Sequence, residues 1–270
     1  MQELKTGPLR WKQLTEKDIH QFIQQGYIVV REAFQRELAE RIIPMVWAEL
    51  GVNPDDPPAW TNHMVMLKKV LKQDPFPQIH TRRYIGAIGD LCGSGRWNAT
   101  RGVGHWPILL PGFASPPWRP PKKGWHVDGN SDRHRINSPD LGLINIELFT
   151  DIESGGGGTA VRVGSHRYAA RIFAEAEPDG LTERELSIRA SAATKHLPVV
   201  EVTGYAGDII LMHPFTVHAP STNTSDLVRI AAIKLIRLYE PMNLERQDRA
   251  DYSPVELAIV EALHEKPNLC

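Results

Sequence analysis

The sequence predicts an all-β core with flanking helices. From residue 122 onward, apolar and β-branched segments follow one another with turn residues between them: LGLINIELF (141–149), GTAVRVG (158–164), PVVEV (198–202), GDIILMH (207–213) and VRIAAIKLIRLY (228–239). These segments do not alternate with helices in a βαβ rhythm, so a parallel doubly wound sheet is not expected. Helix signals gather instead at the two ends of the chain. The 270 residues, 41% of them hydrophobic, are enough to bury a sizeable core, and one domain over 1–270 is expected.

Each element has a local reason. Thr15, with Asp18 three residues on, reads as an N-cap and first-turn acid, and Ile19, Phe22 and Ile23 follow at helical spacing. Gly26 ends that helix, and YIVV (27–30) reads as a short strand. A second amphipathic helix over about 33–50 carries Leu38, Ile42, Ile43, Val46 and Leu50. The breaker 53–58 closes this helical front at about residue 58. Residues 93–125 hold Trp97, Trp106, Trp118 and Trp125 among six prolines and cannot form a regular helix. They read either as a surface loop or as a wall over a site. The barrel core spans about 122–240, interrupted by a helix at about 182–193 that Thr182 and Glu185 cap. Ser253, Pro254 and Glu256 start a last helix at about 253–264.

Composition narrows the function. Lys and Arg total 31 against 32 Asp and Glu, which argues against nucleic acid or an anionic membrane as partner. Cys92 and Cys270 are the only cysteines, too few for a disulfide framework or a thiolate zinc cluster. No apolar run is long enough to cross a membrane, the first residues lack a signal-peptide core, and the terminal PNLC is no lipidation box. A cytoplasmic protein, monomeric or homodimeric, is expected.

Two segments concentrate the chemistry. In Gly124-Trp125-His126-Val127-Asp128-Gly129, an extended strand presents His126 and Asp128 on one face, where an imidazole and a carboxylate can hold one metal ion. A distant histidine would complete a 2-His-1-carboxylate set with open positions for Fe(II). The segment 207–230 offers two histidines for that role, His213 and His218, and also Arg229. Arg229 shares its strand face with Ala231, Ile233 and Leu235. An arginine on an apolar interior face needs a buried anion: the far carboxylate of a 2-oxo acid, or an internal Asp or Glu in a structural ion pair.

WHVDG (125–129), GGTAVRVGSHR (157–167), the Gly-Asp opening of GDIILMH and the His218-x(10)-Arg229 spacing together resemble the phytanoyl-CoA dioxygenase family of Fe(II)/2-oxoglutarate-dependent oxygenases. The resemblance runs from LTEKDIHQFIQQGYIVV to VRIAAIKLIRLYE. It implies a double-stranded β-helix, a cupin-like jelly roll, with helices on one side; the strand pattern alone does not select this over another β-barrel. It implies His126, Asp128 and His218 as catalytic iron ligands, Arg229 as the 2-oxoglutarate anchor, and Thr159 as a further cosubstrate contact. Lys123 is a candidate to reach the same region. Two positions depart from the family pattern. Val163 stands where members often have proline before Gly-Ser-His, which reshapes a turn. Pro220 stands where many carry a small polar residue, which bears on one cosubstrate hydrogen bond.

The implied reaction consumes 2-oxoglutarate and O2, releases succinate and CO2, and oxidises a C–H bond of a small-molecule substrate, usually by hydroxylation. Asp128 disfavours halogenation, since related halogenases carry Gly or Ala there. The alternatives are a metal-dependent hydrolase or a non-catalytic metal-binding barrel. The remaining conspicuous residues read as structural: Gly155 to Gly158 as a turn, since no Gly-Lys-Ser/Thr follows, His213 and His166 as core groups, and LTERELSIR as a solvated helix face. His134 and Arg135 read as the substrate mouth or a solvated loop.

Overall fold

A computed structural model describes residues 11–54, 56, 60–99, 102–130 and 132–265. Asp55, Pro57 and Pro58 of the expected breaker, and Cys270, lie outside these residues. The elements run α1 (Glu16–Gln25), β1 (Tyr27–Val30), α2 (Arg36–Leu50), β2 (Met64–Leu67), a 3-10 turn (Phe76–Ile79), α3 (Arg82–Cys92), β3 (Trp106–Leu109), β4 (Arg133–His134), β5 (Leu143–Leu148), β6 (Thr159–Arg162), α4 (Ser165–Glu175), β7 (Leu181–Thr182), α5 (Glu183–Ala193), β8 (Val199–Val202), β9 (Ile209–Met212), β10 (His218–Ala219), β11 (Ala231–Ile236) and α6 (Pro254–His264).

The helix ends follow the expected chemistry. Thr15, Thr182 and Ser253 each close a capping box, with Asp18, Glu185 and Glu256 at the third helical position. Gly26 ends α1 in the left-handed conformation at φ 86°, which a side chain would resist. A Cβ there would also meet the His166 ring at 2.5 Å. α2 starts at Arg36 rather than near residue 33, because Glu32 sits at φ 51° with its N–H bound to the Asp208 carboxylate.

Strands pair antiparallel in two main sheets, ordered β1-β9-β5-β11 and β10-β6-β8. β5 and β11 register residue for residue from Leu143 opposite Ile236 to Leu148 opposite Ala231. Alternation then sorts the side chains. Ile144, Ile146 and Leu148 of β5 form one apolar cluster with Ile210 and Met212 of β9 and Val161 and Val202 of the smaller sheet. The opposite face of the four-stranded sheet joins the larger core, where α1, α3, α4 and α6 supply Phe22, Ile88, Phe173 and Ile259. The structure is therefore a mixed one, antiparallel sheets with helices packed against them. Among the described residues no helix is long and apolar enough to cross a membrane.

α4 occupies residues with no expected helix. Its N-cap is Gly164, at φ 79° and with no side-chain cap bond, so the usual start signal is missing. The Ser165 hydroxyl accepts instead the Val217 N–H beside β10. β2, β3 and α3 likewise lie in segments for which no strand or helix was expected.

Candidate active site

The His126–Asp128 segment lies beside β10. His126 and His218 exchange backbone hydrogen bonds of 2.9 Å in both directions. This pairing sets both imidazoles on the same side, and Asp128, two residues on, joins them. His126 Nε2 stands 3.2 Å and His218 Nε2 3.6 Å from Asp128 Oδ1. One ligand atom from each of the three lies within 4.8 Å of the others.

Two backbone carbonyls orient the rings. His126 Nδ1 is 2.8 Å from the Gly124 carbonyl, and His218 Nδ1 is 3.0 Å from the Thr216 carbonyl. A carbonyl only accepts, so each Nδ1 carries the proton and each Nε2 presents a lone pair to the common centre. This donor set suits Fe(II). Burial lowers the His218 imidazole. Burial would lower His126 too, but the Asp128 hydrogen bond and charge outweigh it and its pKa is raised. Asp128 is held below its ordinary value in spite of burial, by His218 and His126.

The other candidate histidine does not join them. His213 is fully buried, its Nε2 3.2 Å from the Val255 carbonyl and its Nδ1 accepting the Phe215 N–H. Its ring lies against those of His166, Phe22 and Phe215. His166 is also buried, with Nε2 3.0 Å from the Ile23 carbonyl. His213 thus ties the end of β9 to α6, and His166 ties α4 to α1.

His126, Asp128 and His218 line a cavity of ≈ 390 Å³ together with Thr159 and Arg229. Arg229 is 4% exposed. Its backbone bridges Leu109, at the end of β3, and its Nη1 donates to the Pro107 carbonyl at 2.9 Å. Its Nε has no hydrogen-bond partner. No acid pairs with it among the described salt bridges, so the internal ion pair is not what holds it. Desolvation lowers its pKa to about 10, which leaves it charged at neutral pH. A buried cation with an unused donor fits an incoming carboxylate. Thr159, 6% exposed on β6, faces the same space. Lys123 is exposed and does not line this cavity.

Apart from His105, the rest of the lining is apolar and includes Met64 and Met66 from β2, Leu109 from β3, Ile146 from β5, and Ile233 and Leu235 from β11. The Trp/Pro-rich stretch therefore includes a wall of the site, through His105, Pro107 and Leu109. Trp106 faces the other way, against Phe76 and Phe149. The β2 contribution was not expected from the sequence, where no strand was read at MVML (64–67). Gly155 to Gly158 form a turn whose N–H groups at Gly155, Gly157 and Gly158 donate to the Glu201 carboxylate. His134 differs from both readings offered for it: it is 3% exposed on β4, paired with β7, and does not line the cavity. Arg135 is exposed and pairs with Glu177.

Comparison with known proteins agrees with this geometry. Residues 120–231 match the family model described as phytanoyl-CoA dioxygenase (PhyH). No curated protein matches the chain. Among solved structures, the non-heme alpha ketoglutarate dependent carbocyclase SnoK from nogalamycin biosynthesis is 19% identical at a TM-score of 0.50, over 83% of this chain and 84% of that one. EctD from S. alaskensis with bound Fe is 17% identical at 0.52, over 86% and 82%. HygX from Streptomyces hygroscopicus with nickel and 2-oxoglutarate bound is 14% identical at 0.51, over 83% and 87%. At these identities the likeness is one of fold. The stretch that matches the family model, residues 120–231, contains His126, Asp128, His218 and Arg229, so the similarity to that family rests on the residues of this site.

Proposed function

We propose that this protein is an Fe(II)/2-oxoglutarate-dependent dioxygenase on a double-stranded β-helix that hydroxylates a C–H bond of a small, largely apolar molecule. The observation that carries this reading is the conjunction in one cavity of three convergent ligand atoms and a buried arginine with a free Nε. His126, Asp128 and His218 hold the metal, the two imidazole Nε2 lone pairs aimed by the Gly124 and Thr216 carbonyls and Asp128 offering a carboxylate oxygen. Fe(II) bound there, with a chelating 2-oxo acid and O2, supplies an oxidant for the substrate C–H bond and leaves succinate and CO2. Arg229 receives the far carboxylate of 2-oxoglutarate, a bidentate task that suits a guanidinium. Thr159 offers a hydroxyl to the same cosubstrate.

The substrate class follows from what lines the remaining space. Asp128 and Arg229 are the charged side chains on this cavity, and both are assigned to metal and cosubstrate. A second charge entering the interior would lack a partner, which costs several kcal/mol in a desolvated site. Met64, Met66, Pro107, Ile233 and Leu235 favour an uncharged apolar group beside the metal, and they exclude the water that would compete for it. The exposed His105 is the remaining polar side chain at this wall, available to a polar substituent.

Anaerobic addition of 2-oxoglutarate to the Fe(II)-loaded protein tests the reading. A metal-to-ligand absorption band, followed on admission of O2 by succinate, is expected. Metal binding without the band would favour a hydrolase or a binding barrel on this fold.

A further inference from the structure

The segment that carries His126 and Asp128 has a β-strand partner on one side only. His126 turns its N–H and carbonyl toward His218. By the alternation of extended backbone, Trp125 and Val127 turn theirs to the opposite side, where a sheet would supply another strand. Here α5 stands there instead. The Ser187 hydroxyl accepts the Val127 N–H at 2.9 Å and lies 3.3 Å from the Val127 carbonyl, with Glu183 Oε1 2.9 Å away. The Ser191 hydroxyl donates to the Trp125 carbonyl at 3.1 Å. Four residues along a helix rise about 6 Å. Two residues along a strand rise about 6.6 Å. The two serines thus match the repeat of the strand edge. Arg162 of β6 reinforces the arrangement: its guanidinium lies 4.3 Å from the Trp125 ring centroid and donates to the Ser191 carbonyl and the Thr194 hydroxyl.

We propose that Ser187 and Ser191 are positioning residues that substitute for a missing strand and set the separation of His126 and Asp128 for metal binding. The proposal rests on the iron reading above. Ser187 is 8% exposed, so without its hydroxyl the Val127 N–H would be buried and unpaired. The backbone between the two ligands would then shift to find a partner, and both ligand side chains move with it. Supporting groups around metal ligands are worth about 10- to 100-fold in metal affinity.

Anaerobic calorimetric titration of the full chain with Fe(II) tests this without any substrate. Ser187→Cys keeps the volume but loses the strong acceptor, and should weaken Fe(II) binding by about 10- to 100-fold. Ser187→Thr keeps the hydroxyl and should restore near wild-type affinity. Leu186→Ala removes a buried side chain of the same helix that faces the core, and should lower Tm while leaving Fe(II) affinity unchanged. Equal affinity in Ser187→Cys and wild type would overturn the clamp, as would an equal loss in Leu186→Ala. Should Ser187→Cys fail to fold, Ser191→Ala at the half-buried end should still weaken Fe(II), and unchanged binding there overturns the proposal too. A wild-type protein that takes up no Fe(II) would instead remove the iron reading, and the clamp with it.

Discussion

The main chains of His126 and His218 exchange two hydrogen bonds of 2.9 Å, and their ring centroids stand 4.3 Å apart. Residues distant in the chain thus become a cross-strand pair, and the separation of their imidazoles follows from backbone geometry rather than from a flexible side-chain reach. Each ring is fixed again by a carbonyl two residues before it. The relative positions of these side chains therefore depend on strand pairing as well as on residue identity.

Asp128→Ala should abolish substrate oxidation and sharply weaken Fe(II) binding while the fold survives. The Asp128 side chain is 22% exposed, and its described partners are the two imidazoles. The apolar clusters on either side of the main sheet do not include it. Far-ultraviolet circular dichroism and metal titration together check this, and wild-type turnover in the variant would remove Asp128 from the ligand set.

His218→Ala and His213→Ala should separate cleanly. The first should be inactive at nearly unchanged stability. The second should keep its metal but lose stability by roughly 2–4 kcal/mol, because it empties a packed ring site and leaves the Phe215 N–H without its acceptor. Urea unfolding alongside Fe(II) titration distinguishes the two, and the reverse pattern would exchange their roles.

Arg229→Lys should raise the dissociation constant for 2-oxoglutarate by about one to two decades, since one charged hydrogen bond of a pair is worth roughly 1.5–3 kcal/mol. Fe(II) affinity should hardly change, because Arg229 is not among the clustered metal ligands. The anaerobic absorption band measures the cosubstrate constant directly, and an unchanged value would show that Arg229 does not bear the carboxylate.

Glu147→Gln should flatten the pH dependence of stability. Glu147 is fully buried on the helix-facing side of β5, receives hydrogen bonds from Tyr84 and Asn145, and has Lys234 nearby on β11. Desolvation raises its pKa from 4.5 to about 7. The folded value lies above the unfolded one, so the stability contributed by the neutral acid is complete below pH 4.5 and is lost as pH rises through about 7. The wild type should lose roughly 3 kcal/mol over that interval and the glutamine variant much less. Urea midpoints measured between pH 5 and 8 check it, and parallel slopes would place the titrating group elsewhere.

How much of this molecule was legible depended on how local its cause is. Three capping boxes, the Gly26 stop and the apolar, β-branched runs of β5, β6, β8, β9 and β11 between turn residues are written in residues a few positions apart, so local sequence located them. The same holds for the juxtaposition of His126 and Asp128, since extended backbone places alternate residues on one face. α4 escaped because Gly164 gives no side-chain cap. β4, β7 and β10 escaped because two residues carry no period.

By itself, then, the sequence determined which residue types could meet a metal and a 2-oxo acid, and it left His213 and His218 as equal candidates until the family resemblance favoured one. Tertiary structure decided between them physically: His218 pairs with His126 across a strand, while His213 is held by the Val255 carbonyl in a packed ring cluster. It also turned part of a helix read as solvated, at Ser187, into a support, since Ser187 and Ser191 reach the backbone beside His126 and Asp128 only after α5 packs there. Neither outcome is encoded at short range. Both depend on which backbone groups remain unpaired once the sheets have formed, and a buried N–H or carbonyl must find a partner wherever the fold can supply one.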